Sequence, residues 1–303
     1  MNVAFCINRL GLIGLGTAVT SLVRNCSNSR KLRIWFFCAG NTIKDKKQID
    51  ELLLLENFLG EHQFIDFDPY ATFGACCSLH GDWTCYGRLL LADFIDEDQV
   101  LYLDSDVIVE MDVLTIENFN FKGHILAAVG GGKFRYTLGH NFYIDQLGIN
   151  PDLDYFNDGV MLLNLREWRL RNIKGKCLQI ANLYPLDLPS HDQSLLNITC
   201  LGNFAKLPSS FNCEWGPEVA KPNTSEKMIL HFIGSPKPWD PFAFLIHPGY
   251  DYWAAYQQSS WTKRLAGMRT ADLKRAWNIR RSYIRYFRNK LLNNPGKQIF
   301  QTS

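Results

Sequence analysis

The chain has 303 residues, 47% of them hydrophobic, with 32 Lys and Arg against 30 Asp and Glu. That content supports a sizeable core in one large domain, or one domain with an appendage, and excludes a disordered polyelectrolyte. The near-neutral total hides an asymmetry: positions 263–290 carry ten basic residues and one acid, Asp272, which leaves the body at about −7 and the tail at +9.

The nine cysteines lack C-x-x-C spacing and fall mostly in apolar segments, as at Cys6, Cys38, Cys177 and Cys200. They read as reduced thiols used as small hydrophobes, which favours the cytoplasm. Arg9 interrupts the first apolar stretch, no basic region precedes it, and no run nears the ~18 apolar residues of a membrane span. The expectation is a chain neither exported nor membrane-spanning.

In chain order, Val3 to Ile7 reads as a strand that ends in Asn8 and is followed by Gly11, Gly14 and Gly16, then by a helical pattern through Ala18, Leu22 and Val23. Leu32 to Cys38 is a second strand, Lys44 to Leu59 an amphipathic helix, and Phe64 to Phe67 a third strand. This alternation predicts an α/β fold with a doubly wound, mostly parallel sheet, whose ligands sit at the carboxyl ends of the strands. Val19 stands where a dinucleotide fingerprint requires glycine, and no acid follows the second strand at the usual distance, so a dehydrogenase is disfavoured.

Tyr86 and Arg88 lie on a helix before the run Val100-Leu101-Tyr102-Leu103-Asp104-Ser105-Asp106-Val107-Ile108-Val109. Carboxylates at i and i+2 of an extended strand point to the same side. Buried unpaired anions are costly, so the pair is expected to hold a cation. The competing account is a strand-end pair that caps the next helix.

Further along come Gly130-Gly131-Gly132, the block from Tyr155 to Leu165 with Asn157, Asp158 and Gly159 before a buried strand Val160 to Leu163, a basic helix Arg166 to Arg171, Ser190-His191-Asp192-Gln193 before apolar helix positions, and His231-Phe232-Ile233-Gly234-Ser235-Pro236-Lys237-Pro238-Trp239. Singly, each has an ordinary explanation: a turn asparagine, a Ser190/Gln193 capping box, a surface lysine, a core histidine.

Taken in order, the tyrosine/arginine helix, the D-x-D segment, F-N-x-G-V-x-L-x-N-L, the D-Q pair and H-x-x-G-x-x-K-P-W resemble glycosyltransferase family 8, across roughly residues 3 to 240. The resemblance implies a GT-A type fold and a retaining transferase that moves galactose or glucose from a UDP-sugar to a lipopolysaccharide-type glycan or glycolipid. It implies Mn²⁺, with Mg²⁺ as the alternative, on Asp104, Asp106 and His231. It places the nucleotide on Cys6, Asn8, Ser105, Gly234 and Lys237, and the donor sugar on Arg88, Asp104, Asn157, Asp192 and Gln193. Gln193 and Asp192 are the catalytic candidates, and His80 resembles an acceptor-side residue. A carboxamide is a poor nucleophile, which favours front-face attack over a covalent double displacement.

Two departures stand out. Where relatives usually carry an aspartate and then an asparagine after the first strand, this chain has Asn8 and Leu10, and where an acid often follows the strand at 125–129 it has three glycines. Two other readings stay open: a relative that binds nucleotide-sugar without turnover, and a sugar nucleotidyltransferase, which would want a basic glycine-rich loop that Gly11 to Gly16 lacks.

The expected division is a transferase domain at 1–261 and a basic aromatic tail at 262–303. In the tail Leu273, Trp277, Ile284, Phe287 and Leu291 recur at helical spacing, with Trp261, Tyr283 and Tyr286 nearby and arginines on other faces. Three accounts are open: an interfacial helix on anionic lipid through residues 262–292, a helix packed back on the acidic body, or a nucleic-acid contact. The terminal position and the acidic body favour the first, and hence a cytoplasmic protein held at the inner membrane face, with no nucleic-acid partner.

Overall fold

The first strand, β1 (Asn2–Asn8), alternates its side chains between two buried layers. Val3, Phe5 and Ile7 enter one core together with Leu15, Leu22, Ile49 and Leu52, while Ala4 and Cys6 enter a second with Tyr102, Met161, Cys177 and Leu195. A strand covered on both faces has no polar alternation to show, which is why it reads as a continuous apolar run. Each fully buried aliphatic or aromatic side chain contributes about 1.5–3 kcal/mol relative to exposure. The structure, a computed structural model, describes residues 1–217, 219–222, 226–257 and 270–292.

β2 (Arg33–Ala39), β3 (Glu61–Asp66), β4 (Gln99–Leu103), β6 (Leu126–Lys133), β7 (Asp154–Asn164) and β8 (Ala205–Leu207) complete a seven-stranded sheet in the order β3-β2-β1-β4-β7-β6-β8. All neighbours run parallel except β7, which is antiparallel to both β4 and β6. The sheet is thus mixed α/β and parallel-dominated, with helices Leu12–Asn25 and Ile43–Leu55 on one face and Ile173–Leu183 and His191–Cys200 on the other. A second sheet joins β5 (Val107–Val109), β9 (Cys213–Glu214) and β10 (Ile229–His231), in the order β5-β10-β9.

Local chemistry accounts for the element ends. Thr42 and Asp45 form a reciprocal capping box that starts the helix at Ile43. The helix stops at Leu55 rather than Leu59 because Asn57 takes a left-handed conformation, φ 52°. Gly14 packs the first helix against the segment after β4: a Cβ there would lie 2.5 Å from the Ser105 carbonyl oxygen and 2.9 Å from the Trp239 ring. Its task is close approach, not a dinucleotide turn.

The aspartate run is not one strand. β4 belongs to the large sheet and β5 to the small one, and Asp104, Ser105 and Asp106 form the turn between them. The expected single extended segment is therefore corrected, although both carboxylates still reach one side. Nor are Asn157, Asp158 and Gly159 a turn ahead of a strand: they lie within the eleven-residue β7. The three glycines likewise fall inside β6, at two register irregularities against β7.

The helix Thr270–Leu291 follows, and residues 262–269 and 293–303, including part of the expected tail, lie outside the described residues, as does Trp261.

Candidate functional site

Because β7 runs against its neighbours, its first residues arrive at the edge where β1 and β4 end. One ligand atom from each of Asp104, Asp106 and His231 converges there, all within 4.8 Å of one another. His231 closes β10, whose antiparallel register pairs it with Val107, the neighbour of Asp106. Its Nε2 lies 3.2 Å from Asp106 Oδ1 and 3.8 Å from Asp104 Oδ2. Burial disfavours the charged imidazole, but Asp106 and then Asp104 outweigh it and hold the pKa above the ordinary histidine value. Asp106 is shifted the other way: burial raises its pKa, and the cations of Lys237 and His231 more than reverse that.

The imidazole is oriented from behind. Its Nδ1 lies 3.0 Å from Asn212 Oδ1, and Asn212 Nδ2 donates to Asn157 Oδ1 at 3.0 Å. Donation from Nδ1–H aims Nε2 at the two acids, the arrangement common behind metal-bound histidines. Gly159 leaves room for the ring: a Cβ there would stand 2.2 Å from His231 Cε1 and 2.9 Å from Asp104 Oδ2. Two carboxylates and one imidazole, preorganised and half-screened from water, fit a divalent cation of Mn²⁺ or Mg²⁺ character.

Arg88, expected at the donor sugar, is bound into a cluster of acids. On the 3₁₀ turn Thr84–Leu90, its guanidinium meets Asp192 Oδ2 at 2.7 Å, Asp158 Oδ2 at 2.8 Å and Asp104 Oδ1 at 3.0 Å, with a side chain 4% exposed. It also donates to the carbonyls of Cys85 and Asp158. As placed it is a hub that orients three carboxylates.

Gln193 does not complete a capping box with Ser190, whose side chain makes no cap bond to the helix His191–Cys200. Its carboxamide accepts from the Asp158 amide at 3.3 Å and donates to the Tyr155 hydroxyl at 3.0 Å. Asp192 beside it is buried at 4% exposure. His191 just before takes φ 51°, a left-handed residue that turns the chain into the site.

The nucleotide-side residues are brought together less tightly. Asn8 accepts from the Leu10 and Gly11 amides, each at 2.9 Å, and donates to Asp82 Oδ2 at 2.7 Å. Leu10 is exposed and Cys6 is buried, with its thiol pKa pushed up by burial. Ser105 faces Gly11, where a Cβ would meet its Oγ at 3.1 Å. Asp82 also borders a cavity of about 650 Å³ at the ends of β2 and β3, with Gly40, Phe67, Asp68 and Thr84. Gly234 takes φ 71° and leads to Lys237, whose ammonium reaches Asp106 Oδ2 at 2.7 Å and the Phe232 carbonyl. His80 is exposed in the loop on the His191 side.

Four residues escaped sequence reasoning: Asp82, Tyr102, Asp158 as an ion-pair partner, and Asn212. Tyr102 donates to Asp104 Oδ1 at 2.7 Å and stacks under Arg88 at 4.3 Å. Its i−2 spacing from Asp104 was a usable signal, and Asp158 adjoins Asn157. An isolated asparagine between Phe211 and Cys213 offers none.

The Glycosyl transferase family 8 model matches residues 2–243, most of the chain and every residue of the site. The chain belongs to glycosyltransferase family 8. Among its curated relatives, general stress protein A of Bacillus subtilis is 24% identical over 281 residues, covering 87% of this chain and 94% of that protein. Lipopolysaccharide 1,3-galactosyltransferase of Salmonella typhimurium is 26% identical over 237 residues, covering 70% and 69%. A probable glycosyl transferase of Streptococcus gordonii is 28% identical over 184 residues, 59% of this chain but a quarter of that much longer protein. In fold, this family 8 member is similar to the crystal structure of galactosyltransferase LgtC in complex with donor and acceptor sugar analogs. That match has TM-score 0.71 and 22% identity, and covers 87% of this chain and 99% of that one.

Proposed function

We propose that the chain is a divalent-metal-dependent, retaining hexosyltransferase that moves glucose or galactose from a UDP-sugar to a cell-surface glycan or lipopolysaccharide-type acceptor. The observation that carries this reading is the convergence of Asp104, Asp106 and His231 beside the Lys237 ammonium. Asp104, Asp106 and His231 would hold Mn²⁺ or Mg²⁺, which when bound supplies Lewis acidity that neutralises charge on the departing diphosphate. Lys237 adds a point charge for the same phosphates. Asn8 has its carbonyl engaged by two amides, so the adjacent Asp82 carboxylate is the acceptor that a uracil imide N–H would use.

Asp192, Asn157 and Asp104 orient the sugar hydroxyls, with Gln193 near the anomeric carbon. Asp192 is buried and ion-paired to Arg88 at 2.7 Å, which lowers its nucleophilicity and supports front-face attack. In that step the acceptor oxygen bonds the anomeric carbon, the bond from that carbon to the diphosphate oxygen breaks, and the acceptor proton passes to the departing phosphate. Gln193→Ala then loses most turnover with donor binding kept, whereas full turnover, or a sugar adduct trapped on Asp192, overturns this step.

The C-terminal helix supports attachment at an anionic membrane surface. Leu273, Trp277, Ile284, Phe287 and Leu291 form one exposed stripe, flanked by exposed Lys274, Arg281 and Arg288. No described helix is long and apolar enough to cross a membrane. Each basic residue near such a surface is worth about 1 kcal/mol.

The test is UDP binding and UDP-hexose turnover of the full chain with Mn²⁺. Donor at 100 times its Kd should stabilise the fold by about 2.7 kcal/mol, a chelator should abolish turnover, and Asp106→Ala should remove metal-dependent binding. Turnover that survives chelation, or wild-type binding in Asp106→Ala, overturns the proposal.

A further inference from the structure

Lys237 is braced from the far end of the chain. Lys237-Pro238-Trp239-Asp240 is a turn closed at both ends: the Lys237 amide donates to Asp240 Oδ2 at 2.7 Å, and the Asp240 amide donates to the Lys237 carbonyl at 3.0 Å. Arg275 grips that same carboxylate as a fork, Nε to Oδ1 at 2.8 Å and Nη2 to Oδ2 at 2.8 Å. Nη2 also reaches Ser235 Oγ at 3.4 Å, so the guanidinium spans the loop on both sides of Lys237. The Asp240 side chain is 6% exposed. Without the arginine it would be a buried anion, and burying an uncompensated charge is costly enough to move the loop that carries it.

The helix that delivers Arg275 is itself seated. One turn on, Ile279 is buried, and a further turn on the Tyr283 hydroxyl donates to the carbonyl of Pro241. Arg275, Ile279 and Tyr283 lie on the flank opposite the exposed apolar stripe. The described part of the tail is fastened to the loop that presents Lys237, in keeping with the second account of the tail, a helix packed back on the body.

We propose that Arg275 is a positioning residue of the donor site: through Asp240 it fixes the turn that presents the Lys237 ammonium, so the C-terminal helix sets affinity for the donor diphosphate. This rests on the reading of Lys237 as a phosphate contact. Arg275 touches no donor atom, and a lysine cannot reproduce its planar fork.

The test uses the full chain, with UDP-hexose kinetics and calorimetric binding of UDP in Mn²⁺. Arg275→Ala should raise donor KM and the Kd for UDP about tenfold, with kcat within about twofold and acceptor KM unchanged. Arg275→Lys should recover only part of the loss. Asp240→Asn should fall between the two, and the double variant Asp240→Asn/Arg275→Ala should be no worse than Arg275→Ala alone. A role confined to stability would instead lower Tm and the active fraction while leaving KM and Kd in place, and that result overturns the proposal, as does an unchanged Kd. A wild-type chain that fails to bind UDP overturns the donor reading and this inference with it, whereas wild-type binding with an unaffected Arg275→Ala overturns this inference alone.

Discussion

Arg88 and Arg275 each hold carboxylates in place at the site, and they are built in opposite ways. The Arg88 side chain is 4% exposed and meets three aspartates from the turn after β4, from β7 and from the helix at His191, whereas that of Arg275 is 40% exposed and meets one aspartate, Asp240, together with Ser235. Burial pushes the Asp158 carboxyl pKa well above the usual range even against the pull of Arg88, with Asp192 adding to the rise. The inner arginine belongs to the folded core and cannot let go without breaking it. The outer one is held by a helix that water can reach, so its grip can vary while the fold persists.

The largest effect should come from the inner arginine. Arg88→Leu leaves buried carboxylates without a cation, a loss of about 3–5 kcal/mol, and urea unfolding should show it together with lost metal-dependent UDP binding. A smaller, local effect is expected at Gly159, where Gly159→Ala drives a methyl group into the His231 ring. Mn²⁺ affinity should fall about 10–100-fold with unchanged far-ultraviolet dichroism, and unaltered titration calorimetry would refute the contact.

Acid should lower stability through His247. His247, packed beside Trp215 and Phe232, has its pKa lowered from 6.5 to about 4 by burial and by Lys237. Between those values the unfolded chain binds the proton that the folded one refuses, so stability is present above the upper value and is lost as pH falls toward the lower, by up to about 1.4 kcal/mol per unit. Thermal melts from pH 7 to 4 should show this slope in the wild type and less of it in His247→Phe. The smallest change is expected at Arg171, an exposed side chain that pairs with Glu167 at i,i+4 and donates to the Gly123 carbonyl at 2.8 Å. Arg171→Ala should alter stability by less than about 0.5 kcal/mol and leave donor Kd alone, which separates Arg275 from an ordinary surface arginine.

Much of this was legible in the residues. Apolar runs at Val3 and Leu32 and the helical pattern between them mark parallel strands because both faces are buried, and the family motifs bring Asp104, Asp106, His231 and Lys237 into one group. What the pattern conceals is direction and hierarchy. Nothing local to Asp154–Asn164 says that this strand runs backwards, and the break at Ser105 between two sheets looks like one continuous strand, since apolar residues flank it on both sides. Nothing near Arg88 in the chain shows that three aspartates from distant segments close around it. The pairing of Arg275 with Asp240 joins positions 35 apart across residues that carry no motif.

The pairing of β5 with β10 carries one more consequence. Strand side chains alternate with period two, so slipping this short ladder by a single residue would turn the His231 imidazole to the opposite face, away from Asp106. The imidazole comes from a segment made more than a hundred residues after the two acids, and no amino-terminal fragment ending before it could assemble the three-ligand set. On the proposed metal reading, ion capture would report on folding itself: it would mark the moment when a late-synthesised strand has zipped into correct alignment with an early one.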